Sequence, residues 1–206
     1  MKALKVLIAC EYSGKVREAF RKLDHEAYSC DLLPSDDRSM YHYEDDIKNV
    51  LNYDDTIYDL IVIHPSCQYL AVSGNRWYGK GMPGNDKRLA SLEWTLDLWE
   101  LVKEKSHHAA MENPVSVLFS NIDAKVQYVQ PWQFGHGETK KTGLALHNLP
   151  DLVPSNIVAG RDDRIHKMPP SKDRWKLRSE TYQGIADAMA EQWGSYLQSK
   201  STEEAL

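Results

Sequence analysis

Leu60-Ile61-Val62-Ile63-His64-Pro65-Ser66-Cys67 is the stretch on which the reading of the fold turns. The consecutive apolar residues, mostly β-branched, read as a strand buried on both faces, as in the middle of a parallel sheet. Pro65 ends it, because proline brings no N–H to a strand ladder. Cys67 then stands at the C-terminal edge of the strand, the side on which open α/β sheets bind ligands. A second strand end lies further on, where Ala109-Ala110-Met111 runs into Glu112-Asn113-Pro114. A carboxylate at the end of a parallel strand is not a packing residue. A thiol and a carboxylate at neighbouring strand ends point to nucleophilic attack on an electrophilic ring that the carboxylate activates.

Outward from these two points, the pattern alternates strand and helix. Strands are expected at Leu4 to Ala9, Glu26 to Cys30 and Ile57 to Ile63. Others are expected at His107 to Met111, Lys125 to Val129, Thr142 to Leu146 and Asn156 to Ala159. Helices are expected at Lys15 to Leu23, Ile47 to Leu51 and Pro114 to Phe119, the last with proline in its first turn. In Lys87 to Lys105, Leu89, Leu92, Leu96, Trp99 and Val102 recur at helical spacing. Ser179 to Leu197 reads as a closing helix capped by Ser179, with Ile185, Met189 and Trp193 on one face. Leu32 to Tyr43 reads as loop, and so does Gln68 to Asp86, rich in glycine; a loop that long is usually functional or disordered. The expected fold is α/β: a mostly parallel, Rossmann-like sheet with helices on both faces. The expected organisation is a catalytic domain over 1–130, a reduced basic recognition region over 131–178, a C-terminal helix over 179–198 and a tail over 199–206.

The chain has 206 residues, one domain's worth, and a formal net charge of −5. No apolar stretch approaches a membrane span, and Met1-Lys2-Ala3 leads into a strand rather than a signal peptide, so a soluble cytoplasmic protein is expected. Three cysteines (Cys10, Cys30, Cys67) without a close pair speak against a disulfide framework and against a metal site. An acidic chain is not a general polyanion binder. Yet Arg161 to Arg178 holds seven Lys/Arg, including Arg161, Arg164, Lys172 and Arg174, against three Asp. Such a patch suits local contact with a phosphate backbone, or is simply a solvated loop.

The turn Cys10-Glu11-Tyr12-Ser13-Gly14 joins the first strand to a helix N-terminus, a nucleotide-binding geometry, though it lacks a G-x-G-x-x-G match. Asp31 ends the next strand, where an acid takes ribose hydroxyls in Rossmann-like folds, and Asp45-Asp46 forms a third acidic turn. Acids in these turns suit a ligand with a ribose and an amino group, such as S-adenosyl-L-methionine; ordinary turn and cap roles are the alternative. Lys140-Lys141 either touches phosphate or stays solvated.

In this order the residues resemble the DNA cytosine carbon-5 methyltransferases, especially the compact methylase-like proteins of phages and prophages. The likeness runs from Val6 to Trp193. Pro65-Ser66-Cys67-Gln68 resembles the P-P-C-Q element that supplies the family's nucleophile, and Glu112-Asn113 its E-N element. Leu7 to Gly14 resembles the S-adenosylmethionine loop, and Asp31 and Asp46 fall where the family's acids contact ribose and adenine. Pro131-Trp132-Gln133-Phe134-Gly135, Lys140-Lys141-Thr142, Asn148-Leu149-Pro150 and Arg178 to Ala186 resemble the phage-type subgroup.

The resemblance implies that Cys67 adds to carbon 6 of cytosine, assisted by Glu112 and Asn113. Glu11, Tyr12, Ser13, Gly14, Asp31, Asp46 and Pro65 would lie around S-adenosyl-L-methionine. Lys140, Lys141, Arg161, Arg164, Lys172 and Arg174 would lie on DNA. It also implies a phage or prophage origin in a bacterial host, as a monomer or homodimer. Two features depart from the family pattern. Ser66 replaces the second proline, which is expected to loosen the turn that aims the thiol. The arginine-rich Q-x-R-x-R element is absent and the recognition region is minimal, so sequence specificity should be low or short, or supplied by a partner. Two other readings stand beside the DNA enzyme: the same chemistry on a free pyrimidine nucleotide or RNA, and a non-catalytic decoy that binds S-adenosylmethionine or DNA.

Overall fold

A computed structural model describes residues 2–53 and 55–203. Its strands are β1 (Lys5–Ala9), β2 (Glu26–Asp31), β3 (His42–Glu44), β4 (Leu60–Ile63), β5 (Ala109–Pro114), β6 (Lys125–Val129) and β7 (Thr142–His147). Its helices are α1 (Lys15–Arg21), α2 (Ile47–Leu51), α3 (Asn75–Tyr78), α4 (Asn85–Lys105), α5 (Arg164–Lys167), α6 (Arg174–Ser179), α7 (Gln183–Ala188) and α8 (Gly194–Glu203). A π-helical turn, Met189–Trp193, joins the last two. The strands form one seven-stranded sheet in the order β3-β2-β1-β4-β5-β7-β6. Neighbours from β3 to β5 pair in parallel, whereas β7 runs antiparallel to both β5 and β6. The expected Rossmann-like α/β architecture is therefore the observed one.

Strand alternation divides the sheet's apolar residues between two cores. Val6, Ile8, Leu60, Val62 and Leu144 face Val16 and Phe20 of α1 and Ile185, Met189, Trp193 and Leu197 of the C-terminal helices. Leu7, Ala9, Ile61, Ile63 and Met111 face Ile47 and Leu51 of α2 and Leu98, Trp99 and Val102 of α4. Strand order reverses between β1 and β4, and the crevice at such a switch point lies beyond the carboxyl ends of the strands. The turn after β1 and the His64–Cys67 segment both open there.

Several local expectations are corrected. Asn156 to Ala159 is not a strand, because Asn156 makes only an isolated bridge to Phe134. Pro114 closes β5 rather than opening a helix, and a short 3-10 turn follows at Val117–Ser120. His42–Glu44 pairs with β2 where loop was expected. Gln68 to Asp86 holds a 3-10 turn and α3 instead of a structureless loop. Ser179 ends α6 rather than capping the last helix, since Glu180 is extended and the chain turns helical again only at Gln183. The expected tail is helical to Glu203, and 204–206 and Met1 lie outside the described residues.

Candidate active site

The β4–β5 register builds the centre of the site. Ile63 pairs with Met111, so His64 and Pro65 lie across from Glu112 and Asn113. Asn113 Nδ2 donates to the Pro65 carbonyl at 3.0 Å, which ties the cysteine loop to the next strand end. His64 Nδ1 lies 3.6 Å from Glu112 Oε2. Past Cys67 the chain coils at once, because the Cys67 carbonyl accepts from the N–H groups of Leu70 and Ala71.

Charge around the pair is uneven. Burial, and then the Glu112 charge, push the Cys67 thiol up, while Lys140 and Arg178 pull it down less strongly. Burial works against ionising Glu112, but contact with His64 and the charge of Lys140 outweigh it, holding the carboxyl below its usual range. A neutral thiol thus faces an ionised carboxylate. Lys140 is held in place by its Nζ, which donates to the Glu180 carbonyl at 3.0 Å.

His64 Nε2, Asn113 Oδ1 and Ser116 Oγ are buried with no hydrogen-bond partner among the described residues. Buried polar groups are nearly always paired, and these three lie at the carboxyl ends of β4 and β5, whereas the remaining orphan, Trp99 Nε1, lies in the α4-side core. The loop beyond Cys67 is fastened by Arg88 of α4, a buried residue that the sequence reading overlooked. Its guanidinium donates to the carbonyls of Tyr69 and Ala71 and to Asn75 Oδ1. Nothing in an amphipathic helix announces one arginine as a clasp. Tyr78 packs edge-on against Tyr69, while Trp77 stays exposed with Arg76 over its ring.

The turn after β1 is built differently. The Glu11 carboxylate accepts from Val16 N (2.7 Å), Arg17 N (3.3 Å) and Ser13 Oγ (3.3 Å), filling the N-terminus of α1 with the chain's own anion. Gly14 has φ +70°, and a Cβ there would sit 2.3 Å from Arg17 Nη2, so both conformation and space call for glycine. The Tyr12 hydroxyl meets the Lys176 carbonyl (2.9 Å) and Ser179 Oγ (3.0 Å), and Trp175 packs against its ring, so α6 lies across this turn. Glu11, Tyr12 and Ser13 are thereby engaged within the protein.

Asp31 and Asp46 border the crevice. Asp31 Oδ1 accepts from Leu33 N at 2.9 Å, and burial raises its carboxyl despite that bond and the nearby His42 and His64. Asp46 caps α2 through Lys48 N at 2.8 Å. Burial, followed by the charges of Asp31, Cys30 and Asp46, pushes the Cys10 thiol far up, which puts Cys10 and both acids around one crevice.

The basic residues scatter. Lys140 reaches the Cys67–Glu112 pair. Lys141 lies over the Tyr128 ring, and Arg161 over the Trp132 ring. Arg164 pairs with Glu138, Arg174 donates to the Met168 carbonyl, and Lys172 is exposed. Arg178, which the sequence reading counted in the basic run and in the C-terminal segment but not at the site, is the member of that run felt at Cys67.

No family model matches the chain, and no curated protein matches it. Solved structures do. One is described as a DNA modification methyltransferase encoded within an E. coli prophage: it shares 12% identity over 76% of this chain and 52% of its own, with a TM-score of 0.50. Another, the Entamoeba histolytica methyltransferase EhMeth, shares 13% identity over 83% of this chain and 61% of its own, again with a TM-score of 0.50. The chain thus spans half to three-fifths of the length of these structures. The likeness is one of fold.

Proposed function

Given a fold shared with methyltransferases, we propose that this chain moves a methyl group from S-adenosyl-L-methionine to carbon 5 of cytosine in DNA, through a covalent Cys67 adduct. The observation that carries this reading is the meeting of Cys67 with Glu112 at adjacent parallel strand ends, beside orphaned polar atoms. The crevice fits the methyl donor: Asp31 and Asp46 suit its hydroxyls and positive charge, and Asn113 Oδ1 is an acceptor awaiting a partner. When bound, the donor supplies an electrophilic methyl group. Pro65 holds the loop against Asn113. Glu11, Tyr12, Ser13 and Gly14 shape the turn from within.

Cytosine carbon 5 is a weak nucleophile. Once the Cys67 thiol has lost its proton, its sulfur bonds to carbon 6 and the ring's π electrons move toward carbon 5. Lys140 and Arg178 favour that deprotonation. Glu112 hydrogen-bonds the ring nitrogen and relieves the charge that the addition creates. Loss of the carbon-5 proton to solvent then re-forms the double bond and expels Cys67. In a duplex the base must first leave the stack, at a cost of a few kcal/mol. Residues 131–178 serve as a reduced recognition region, with Lys140 and Lys172 as phosphate contacts.

A second reading keeps the chemistry and changes the substrate to RNA or a free pyrimidine nucleotide. The contacts that Arg161, Arg164 and Arg174 already make within the chain favour it, since each would have to leave a neighbour to meet phosphate. One assay separates the readings: transfer of labelled methyl from S-adenosyl-L-methionine to unmethylated DNA, to RNA and to cytidine nucleotides, with wild type and Cys67→Ala in parallel. Label in DNA as 5-methylcytosine with wild type alone is the expected result. Label in RNA or nucleotide alone moves the substrate, and none with any of them removes the enzymatic reading.

A further inference from the structure

The reaction just proposed leaves His64 without a task, although it lies beside Glu112. Its Nδ1 lies 3.6 Å from Glu112 Oε2, only 9% of its side chain is exposed, and its Nε2 is buried without a partner. The groups that face it are Glu112 from β5, Asp31 from the end of β2, and Lys140, which acts on the same carboxylate from the loop before β7. Cys67 follows on its own loop.

The chemistry poses a problem that this placement answers. Cytosine N3 carries a lone pair and no hydrogen, so an ionised carboxylate repels it. Glu112 can hydrogen-bond N3 only as the acid, and a proton must therefore reach the carboxylate as the base arrives. We infer that His64 is the positioning residue that delivers this proton. When the His64 ring carries a proton on both nitrogens, its Nδ1–H bond breaks, the Glu112 Oε2–H bond forms, and Glu112 presents that hydrogen to N3. The proton returns to Nδ1 when the product leaves. The transfer turns an ion pair into a neutral pair, and the net charge of the two groups is zero in both. Expelling water as a base enters disfavours the separated ions and favours the neutral acid with neutral imidazole. The inference rests on the cytosine reading for its substrate, while the proton coupling of His64 with Glu112 stands apart from it.

Two measurements test it. The ring nitrogens of His64 are titrated by NMR in the wild-type protein and in Glu112→Gln, without substrate. The His64 ring-nitrogen signals should change once its carboxylate partner is gone, as expected for groups 3.6 Å apart. No change overturns the coupling, whatever the substrate proves to be. Methyl transfer is then followed against pH for wild type, His64→Ala and His64→Asn, on the substrate identified above. Asparagine can place an N–H near the Nδ1 position but cannot give up its proton. Both variants should lose kcat at neutral pH by about 10²-fold and recover part of it as pH falls, with KM for the methyl donor unchanged. Rescue by His64→Asn, or a parallel loss at every pH, overturns the proposal and leaves His64 a structural contact. If wild type transfers no methyl group, the cytosine reading fails and the titration alone decides the pair.

Discussion

Two groups of turns lie at the same edge of this sheet and are built on opposite plans. At the end of β1, the Glu11 carboxylate is spent on the amides of α1 and the Tyr12 hydroxyl on α6. At the ends of β4 and β5, His64, Asn113 and Ser116 each leave a buried polar atom unanswered, and Cys67 and Glu112 face each other with displaced protonation equilibria. Both stretches look functional as sequence, because both are polar turns after buried strands. The difference is one of polar satisfaction: the first turn is bonded from within, while the second keeps buried polar atoms without partners among the described residues.

The hardest blow to this contrast would come from the chemical pair. Cys67→Ala should abolish methyl transfer, and Glu112→Gln should lower it about 10²- to 10⁴-fold, the range for loss of a positioned acid–base group. Thermal melts should show both variants folded; transfer by Cys67→Ala would end the contrast. On the other side, Glu11→Ala should cost about 1–2 kcal/mol in urea denaturation, as loss of a helix cap does, while transfer falls by less than about tenfold. A stable but inactive Glu11→Ala would move Glu11 from the scaffold to the ligand.

A smaller effect should appear in thiol reactivity. Because the Cys67 thiol is pushed above its ordinary value of 9.0, its alkylation by iodoacetamide should keep climbing with pH through about pH 9 instead of levelling off near neutrality. Cys30, pushed up to about 12, and the still higher Cys10 should stay unmodified in the folded protein. Lys140→Ala removes a charge that lowers the Cys67 thiol, so the Cys67 curve should shift further toward high pH. The smallest change is expected of Ser66→Pro, which should stiffen the loop and raise the transfer rate modestly; an unchanged or slower rate would show that the turn does not limit aim.

Much of the fold was legible because its central strands are continuous apolar runs and α4 keeps helical spacing for 21 residues. What escaped depends on contacts that local sequence does not carry. His42–Glu44 is a polar edge strand, defined only by its pairing with β2. Asn156 to Ala159 has strand-like composition, but the neighbour it bonds to, Trp132 to Gly135, is a turn, so the pairing stops at a single bridge. The glycine-rich stretch after Cys67 is ordered by Arg88 from a distant helix turn. At the site, the order of Cys67, Glu112 and Asn113 could be read from the sequence, since strand ends place them by register alone. The inward bonds of Glu11 and Tyr12, the approach of Arg178 and the contact of His64 with Glu112 could not be, because each needs the folded chain around it.

The core on the α1 side closes only when Ile185, Met189, Trp193 and Leu197 arrive, and Gly184 must pass so near the Phe134 carbonyl that a Cβ there would lie 1.8 Å from its oxygen. During synthesis, α2 and α4 emerge early enough to cover one face of the sheet, while the other waits with little more than α1 over it. A ribosome that stalls or terminates upstream of Ile185 therefore releases a sheet bare on one side, a target for chaperones and proteases. Folding of this domain therefore hangs on the segment from Ile185 to Leu197, however well the strands before it have paired.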